Sequence, residues 1–183
     1  GTGSTPAKSS ATLDLSGMSV ANGGVIDVNK LSVGTGPGVG VLTARGQNST
    51  GTLALPGGTD TFQVNEHFEV AGPGVDTTGT VTLPAAATVR LGVDDASRAM
   101  FLYGVHTTND SNDNGTSQAN GTLSDGSFTG SFGGFVTDML VGVNSATAGA
   151  AGGAIDLSGA TLLGLDISGD LKVGPGINAV GSL

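Results

Sequence analysis

The two ends of the chain share an internal repeat that indicates the fold. Residues 11–42 read ATLDLSGMSVANGGVIDVNKLSVGTGPGVGVL, and residues 154–183 read AIDLSGATLLGLDISGDLKVGPGINAVGSL. LDLSG in the first stretch corresponds to IDLSG in the second, and IDVNKLSVG corresponds to LDISGDLKVG with one residue inserted. Matches over about thirty positions in one order are typical of proteins built from stacked repeats.

Short apolar-x-apolar pairs recur along the whole chain, each followed by Gly, Asn, Asp or Pro. Examples are Leu13/Leu15, Phe62/Val64 and Leu171/Val173. Such alternation places one face of a short strand inward and the other outward. Helices are not expected, because glycine and β-branched residues interrupt every window and disfavour helix interiors.

Near the N-terminus, the 13-residue spacing of Leu13, Ile26 and Val39 indicates a coiled chain of short strands, and because later spacings drift, the coil length is not expected to be constant. Each coil is too short to bury its own apolar face, so it must stack on the next one. The sequence therefore predicts an all-β fold, a parallel β-helix (β-solenoid) with Gly, Pro and Asn at its corners. We expect one solenoid domain over residues 11–183, preceded by a polar N-terminal arm at 1–10 and interrupted by a long polar loop at about 105–127.

Composition fits this architecture and excludes several others. Glycine supplies 34 of 183 residues, and the GPG units at 36–38, 72–74 and 174–176 suit sharp corners. The absence of cysteine excludes disulfide frameworks, thiolate nucleophiles and Cys-ligated metal sites. A net charge of −9 with only six Lys and Arg argues against nucleic-acid partners. No apolar run approaches the roughly 20 residues of a membrane span.

Several Gly-Thr-Leu segments carry a resemblance to a known class. TGTLAL at 50–55, GTVTL at 79–83 and GAIDLSG at 153–159 resemble the β-solenoid repeats of bacterial surface proteins. These are autotransporter-passenger-like repeats and the repeats associated with PEP-CTERM-type anchors. The resemblance implies an exported β-helix with a structural or adhesive role, and it brings no catalytic residues with it.

The segment DSNDNG at 110–115 matches the opening of an EF-hand loop, in which Asp110, Asn112 and Asn114 would offer oxygen ligands to calcium. The twelfth position is Gly121 rather than glutamate, so the bidentate ligand of such loops is missing. A solvated polar loop is therefore the favoured interpretation, with calcium as the alternative. No other cofactor is expected.

Few other residues suggest catalysis. His67 and Glu69 lie two apart and share a strand face, which suits a metal or acid–base site, although a salt-bridged surface strand is the favoured interpretation. Asp94 and Asp95 are adjacent and would point to opposite faces of a strand. A polysaccharide-active enzyme would need carboxylates clustered near a cation. The residues to locate for that purpose are Asp94, Asp95, Glu66, Glu69 and Arg90.

These features predict a non-enzymatic structural protein outside the cell or on its surface, the unit of a filament or stalk that assembles by head-to-tail stacking. An uncapped solenoid exposes strand edges and an apolar cross-section, which favours such association. Two alternatives stay open: a glycan-binding adhesin module that uses the loop at 105–127, and a polysaccharide-active β-helix enzyme. The expected partners are further copies of the chain and glycans, with neither nucleic acid nor membrane insertion.

Overall fold

The computed structural model is all-β, and no helix occurs among the residues that it describes. These residues are 9–17, 24–34, 49–57, 59–71, 77–105, 118–123, 128–144, 150–155, 157–176 and 179–182. The strands in chain order are β1 (Ser9–Asp14), β2 (Gly24–Val33), β3 (Ser49–Ala54), β4 (Thr59–Val70), β5 (Thr77–Thr82), β6 (Thr88–Leu91), β7 (Ala99–Tyr103), β8 (Gln118–Leu123), β9 (Ser131–Val141), β10 (Ala150–Ile155), β11 (Thr161–Ile167), β12 (Leu171–Val173) and β13 (Ala179–Ser182).

The chain passes alternately between two parallel sheets. Sheet A contains six strands in the order β1-β3-β5-β8-β10-β13. Sheet B contains the other seven, in which β6 and β7 both lie between β4 and β9, and β11 and β12 both pair with β9. Neighbouring strands of one sheet are therefore joined through a strand of the other. A sheet-A strand and the sheet-B strand or strands that follow it together form a rung.

Apolar side chains at matching registers form ladders through the rungs. In sheet B, the register aligns Leu31, Phe68, Phe101, Met139 and Leu171 in successive strands. Phe68, Phe101 and Met139 are fully buried. The Phe68 ring meets Phe101 edge-on with centroids 5.1 Å apart, a favoured arrangement for aromatic pairs. This ladder is the centre of the core.

A left-handed backbone conformation marks the corner that follows each rung of sheet B. The corner residues and their φ angles are Gly34 (62°), Ala71 (50°), Gly104 (59°), Gly142 (60°) and Gly174 (69°). Glycine adopts this conformation without steric cost, because it has no Cβ. The LxVG segments of the sequence are these strand ends, and the predicted corner at 174–176 is confirmed by the positive φ of Gly174 and Gly176.

A second glycine column runs through sheet A, where the register aligns Gly51, Gly79, Gly121, Gly153 and Gly181. A Cβ atom on Gly153 would lie 2.6 Å from both the Gly142 nitrogen and the Tyr103 oxygen. The two sheets thus meet backbone to backbone along this edge. The corner column needs glycine for its positive φ, and the sheet-A column needs glycine for the close approach of the backbones. Together they explain much of the glycine excess.

The 13-residue spacing has a different meaning from the predicted one. Leu13 lies in β1 of sheet A and Ile26 in β2 of sheet B, so the step carries the chain between sheets and does not complete a rung. Val39 lies outside the described residues. The step from one sheet-A glycine to the next varies, from 28 residues between Gly51 and Gly79 to 42 between Gly79 and Gly121. The rungs have no fixed length because their connecting segments differ.

The internal repeat corresponds to equivalent positions in the fold. Leu13 of LDLSG and Ile155 of IDLSG occupy one register ladder of sheet A. Leu31 and Leu171 likewise occupy one ladder of sheet B. The repeat thus relates the first described rung to the last complete one.

The polar stretch at 105–127 is not one irregular loop, so this part of the prediction is wrong. Residues 118–123 form β8, which pairs in parallel with both β5 and β10. Gly121 and Leu123 lie in register with Gly79 and Val81 of β5, and the surrounding Asn and Ser concealed the strand. Residues 106–117 and 124–127 lie outside the described part.

The polar arm predicted at 1–10 also overlaps a strand. Ser9 and Ser10 belong to β1 and pair in register with Ser49 and Thr50 of β3. The first eight residues lie outside the described part of the chain.

Candidate functional site

The N-terminal end of the stack exposes the inside of its first rung. Leu13 begins an inward ladder of sheet A and is 55% exposed, whereas its register partner Leu53 is 6% exposed. Between β1, β3 and the end of β2 lies a cleft of about 380 Å³ whose apolar walls include Leu13, Leu31, Val33 and Leu53. This end therefore offers an apolar groove between two strand edges.

The C-terminal end exposes the other ends of the sheet-B ladders. Leu162, Leu171 and Val173 are 65%, 54% and 40% exposed. Their partners across β9 are Phe132, Met139 and Val141, all of which are fully buried. The exposed side chains thus belong to the inward set, and no strand among the described residues covers them.

The two ends match each other in register. Leu31 and Val33 begin the ladders of sheet B that Leu171 and Val173 end. Lys30 precedes Leu31 in the same way that Asp170 precedes Leu171, so opposite charges stand at corresponding positions. The sequence predicts exposed ends but not which side chains are exposed there, because that depends on which strands lie at the sheet edges.

Asp94 and Asp95 have structural roles in the loop between β6 and β7. The Asp94 carboxylate accepts hydrogen bonds from the backbone N–H groups of Ala96 and Ser97, at 3.0 and 2.8 Å. Asp95 forms an ion pair with Arg98. The two carboxylates therefore serve different contacts, although they lie in a turn rather than in the strand that we expected.

Arg98 holds this loop to the last rung of sheet B. Its side chain is only 11% exposed and pairs with Asp166 of β11 at 3.2 Å. Its guanidinium also donates to the backbone oxygen of Val136 and lies 5.7 Å from the centre of the Phe135 ring. Hydrogen bonds to Asp166 and Asp95 raise the pKa of Arg98 above its usual value. Nothing in the sequence predicted the contact between Arg98 and Asp166, which lie 68 positions apart.

Neither Glu66 nor Glu69 of β4 forms an ion pair with Arg90 in the described part of the chain. Glu66 pairs with Lys30 at 3.2 Å across β2 and β4, as expected for a salt-bridged strand. Glu69 is buried at a register position beside Leu102. Arg90 lies on β6 opposite Gln63, and within the described residues no ion pair joins it to a carboxylate.

His67 is partly buried between the first rungs, and its Nδ1 atom has no hydrogen-bond partner in the described structure. Burial, and then the charge of Lys30, lower the pKa of His67 below its usual value of 6.5, while Glu66 acts in the opposite direction. The unfolded chain therefore takes up a proton at His67 at a higher pH than the folded chain does.

We expect the stability that depends on neutral His67 to be fully present above about pH 6.5 and to be lost as the pH falls through the folded pKa. Urea unfolding between about pH 8 and pH 5 checks this prediction. The variant His67→Gln should show a weaker dependence on pH in that range than the unchanged chain. An equally steep decline in both proteins would contradict it.

The calcium ligands predicted from sequence, Asp110, Asn112 and Asn114, lie outside the described residues. Within the described part of the chain, no group of three or more His, Cys, Asp or Glu side chains is placed to hold a metal ion. The calcium site stays a prediction.

No protein-family model, curated protein or solved structure matches the chain. Among the described residues, no helix has the length and apolar character needed to cross a membrane.

Proposed function

We propose that the chain is a parallel β-solenoid that serves as a structural unit and binds further copies of itself head to tail. The observation that carries this proposal is the exposure of inward apolar residues at both ends of the stack. Leu13 is 55% exposed at one end and Leu171 is 54% exposed at the other. Burial of apolar area is the main favourable contribution to most protein association.

Backbone geometry supports the same arrangement. Strands β1 and β2 are the edges of the two sheets at one end, and β13, β11 and β12 are the edges at the other. All strand pairs in the described residues are parallel, so a second copy in the same orientation would continue both sheets. Exposed edges of this kind are templates for pairing with another chain. A heterologous contact that does not close produces an open filament.

Register and apolar fit favour a second copy as the occupant, while Lys30 and Asp170 already form ion pairs within one copy, with Glu66 and Lys172. In a continued stack, Asp170 of one copy would lie near Lys30 of the next, and Leu171 would face Leu31 at the groove of about 380 Å³. The resemblance to surface repeat proteins supports a place outside the cell or on its surface and a role without catalysis. The loop-based glycan adhesin and the polysaccharide-active enzyme stay predictions.

Single substitutions test the two ends of the stack one at a time. Leu13→Asp blocks the N-terminal end and Leu171→Asp blocks the C-terminal end, while Thr82→Asp adds the same charge on an exposed position of a central strand. We expect the unchanged chain and Thr82→Asp to form filaments in electron microscopy at high concentration. Each end variant alone should sediment as a monomer with an unchanged β circular dichroism spectrum.

A mixture of the two end variants makes the test specific for orientation. The intact C-terminal end of Leu13→Asp can bind the intact N-terminal end of Leu171→Asp, so the mixture should sediment as a dimer. A dimer of Leu13→Asp alone would show a symmetric contact and contradict head-to-tail stacking. A strictly monomeric unchanged chain would contradict self-association altogether.

A further inference from the structure

The outer face of sheet B contains a second cleft, distinct from the groove at the N-terminal end. It has a volume of about 440 Å³ and lies between the turn that follows β6 and the bulge of β11. Its lining combines one guanidinium, one amide, a backbone floor, apolar walls and the carboxylate of Asp166, which is paired with Arg98. The lining residues include Gln63, Arg90, Val93, Gly133, Phe135 and Leu163.

The floor and the rim of this cleft are fixed by contacts within the chain. The Gln63 amide donates to the Gly92 oxygen at 2.6 Å and so holds the start of the turn against β4. A Cβ atom on Gly133 would lie 2.6 Å from the Gly164 oxygen, so the floor here is bare backbone. Arg98 ties the same turn to Asp166 on the opposite rim. The cleft is therefore a preformed feature of the fold, as most small-molecule sites are.

The charge in the cleft favours an anion. Arg90 is exposed, and the described structure gives its guanidinium neither a hydrogen bond nor an ion pair. The nearby Asp166 carboxylate is already paired with Arg98. Arg90 is thus an uncompensated positive charge in a chain of net charge −9. A guanidinium binds carboxylates through two parallel hydrogen bonds, which a point charge does not provide.

The walls of the cleft favour a ligand with an apolar body. Phe135 is half-buried along one side, and Leu163 and Val93 are 47% and 60% exposed. An inorganic ion would leave most of a 440 Å³ cleft unfilled. A sugar ring would place C–H groups against such walls, and the Gln63 side chain in the lining would offer its amide oxygen to a hydroxyl.

We propose that this cleft binds a uronic acid residue of an acidic polysaccharide, with its carboxylate on Arg90 and its ring against Leu163. The proposal does not depend on head-to-tail stacking, because one copy supplies the whole lining of the cleft, although its β11 wall is also an edge strand of the C-terminal end. It also places glycan binding on sheet B, whereas the described strand of the polar stretch at 105–127, β8, belongs to sheet A.

The test uses the full chain of Leu171→Asp, so that filament formation does not affect the measurement. Binding is measured by calorimetry in buffered salt with sodium glucuronate, its oligomers, glucose and acetate as probes. We expect glucuronate to bind, glucose and acetate to bind much more weakly, and Arg90→Gln to weaken glucuronate by about ten-fold or more. Lys172→Gln removes an equal charge from the last rung and should leave the affinity unchanged.

A second variant tests the apolar wall of the cleft separately from the charge of Arg90. Leu163→Ser should weaken glucuronate and leave the weak binding of acetate unchanged, because acetate has no ring to contact Leu163. Equal losses in Arg90→Gln and Lys172→Gln would show attraction by overall charge and overturn the proposal. Acetate binding as tightly as glucuronate would overturn the assignment to a sugar. Absence of glucuronate binding would overturn the site while leaving the stacking experiment unaffected.

Discussion

Replacing Gly104 with alanine should destabilise the protein severely, although it adds only one methyl group. Gly104 has a φ of 59°, and a Cβ atom there would lie 1.8 Å from the backbone oxygen of Gly152. A left-handed conformation costs a residue with a Cβ roughly 1–2 kcal/mol, and the overlap with fixed backbone adds about 1–3 kcal/mol. We therefore expect a loss of about 3 kcal/mol in the free energy of unfolding, measured from urea denaturation by circular dichroism.

Two other positions provide matched controls for this prediction. A Cβ atom added to Gly57 would meet no atom of a non-adjacent residue within 4 Å, and its φ is not positive, so Gly57→Ala should change stability by less than about 0.5 kcal/mol. Ala71 occupies the same corner one rung earlier with a φ of 50°, and Ala71→Gly should relieve strain there rather than add to it. Equal stabilities of Gly104→Ala and Gly57→Ala would refute the role assigned to the corner.

The corners also show which parts of the fold the sequence alone predicts. A glycine after an apolar-x-apolar pair is a local signal, since the strand, the corner and the change of direction lie within a few residues. The all-β class and the equivalence of Leu31 with Leu171 followed from such local patterns. The segment LxVG predicts a strand end because only glycine adopts the required φ without cost.

Register between rungs could not be predicted in the same way. Phe68, Phe101 and Met139 are neighbours in the core, yet the first two lie 33 positions apart and the last two 38 apart. Because the connections differ in length, no fixed period relates them, and the 13-residue spacing marked only the passage between sheets. The strand β8 was missed for the same reason: its place depends on pairing with β5 and β10 rather than on its own composition.

The positions of the candidate site residues likewise depend on pairing between rungs, which the sequence alone does not predict. The sequence grouped Arg90 and the paired aspartates as possible catalytic residues. The fold separates them, because Asp94 and Asp95 stabilise a turn while Arg90 faces a cleft on β6. The ion pair between Arg98 and Asp166 depends on two strands brought together by β9. Such contacts arise from stacking order, which no single segment encodes.

Truncation of Phe68 should have the largest effect among the core side chains. Its ring is fully buried and contacts Phe62, Phe101 and Tyr103 edge-on, with centroids 5.9, 5.1 and 6.0 Å away. Removing a buried phenylalanine ring costs about 3–5 kcal/mol, a large share of the roughly 5–15 kcal/mol that stabilises a typical domain. Phe68→Leu keeps most of the volume and should cost far less than Phe68→Ala.

Tyr103 reports on this change directly, because it is the chain's only tyrosine and no tryptophan is present. Burial raises the pKa of Tyr103 well above its usual value of 10, so ionisation of the folded protein requires a much higher pH. We expect tyrosinate absorbance in Phe68→Ala to appear at a lower pH than in the unchanged chain, as unfolding releases Tyr103 to water. Phe68→Leu should titrate close to the unchanged chain. Coincident titrations of Phe68→Ala and the unchanged chain would show that Phe68 does not hold the aromatic core together, since Tyr103 would still be shielded without it.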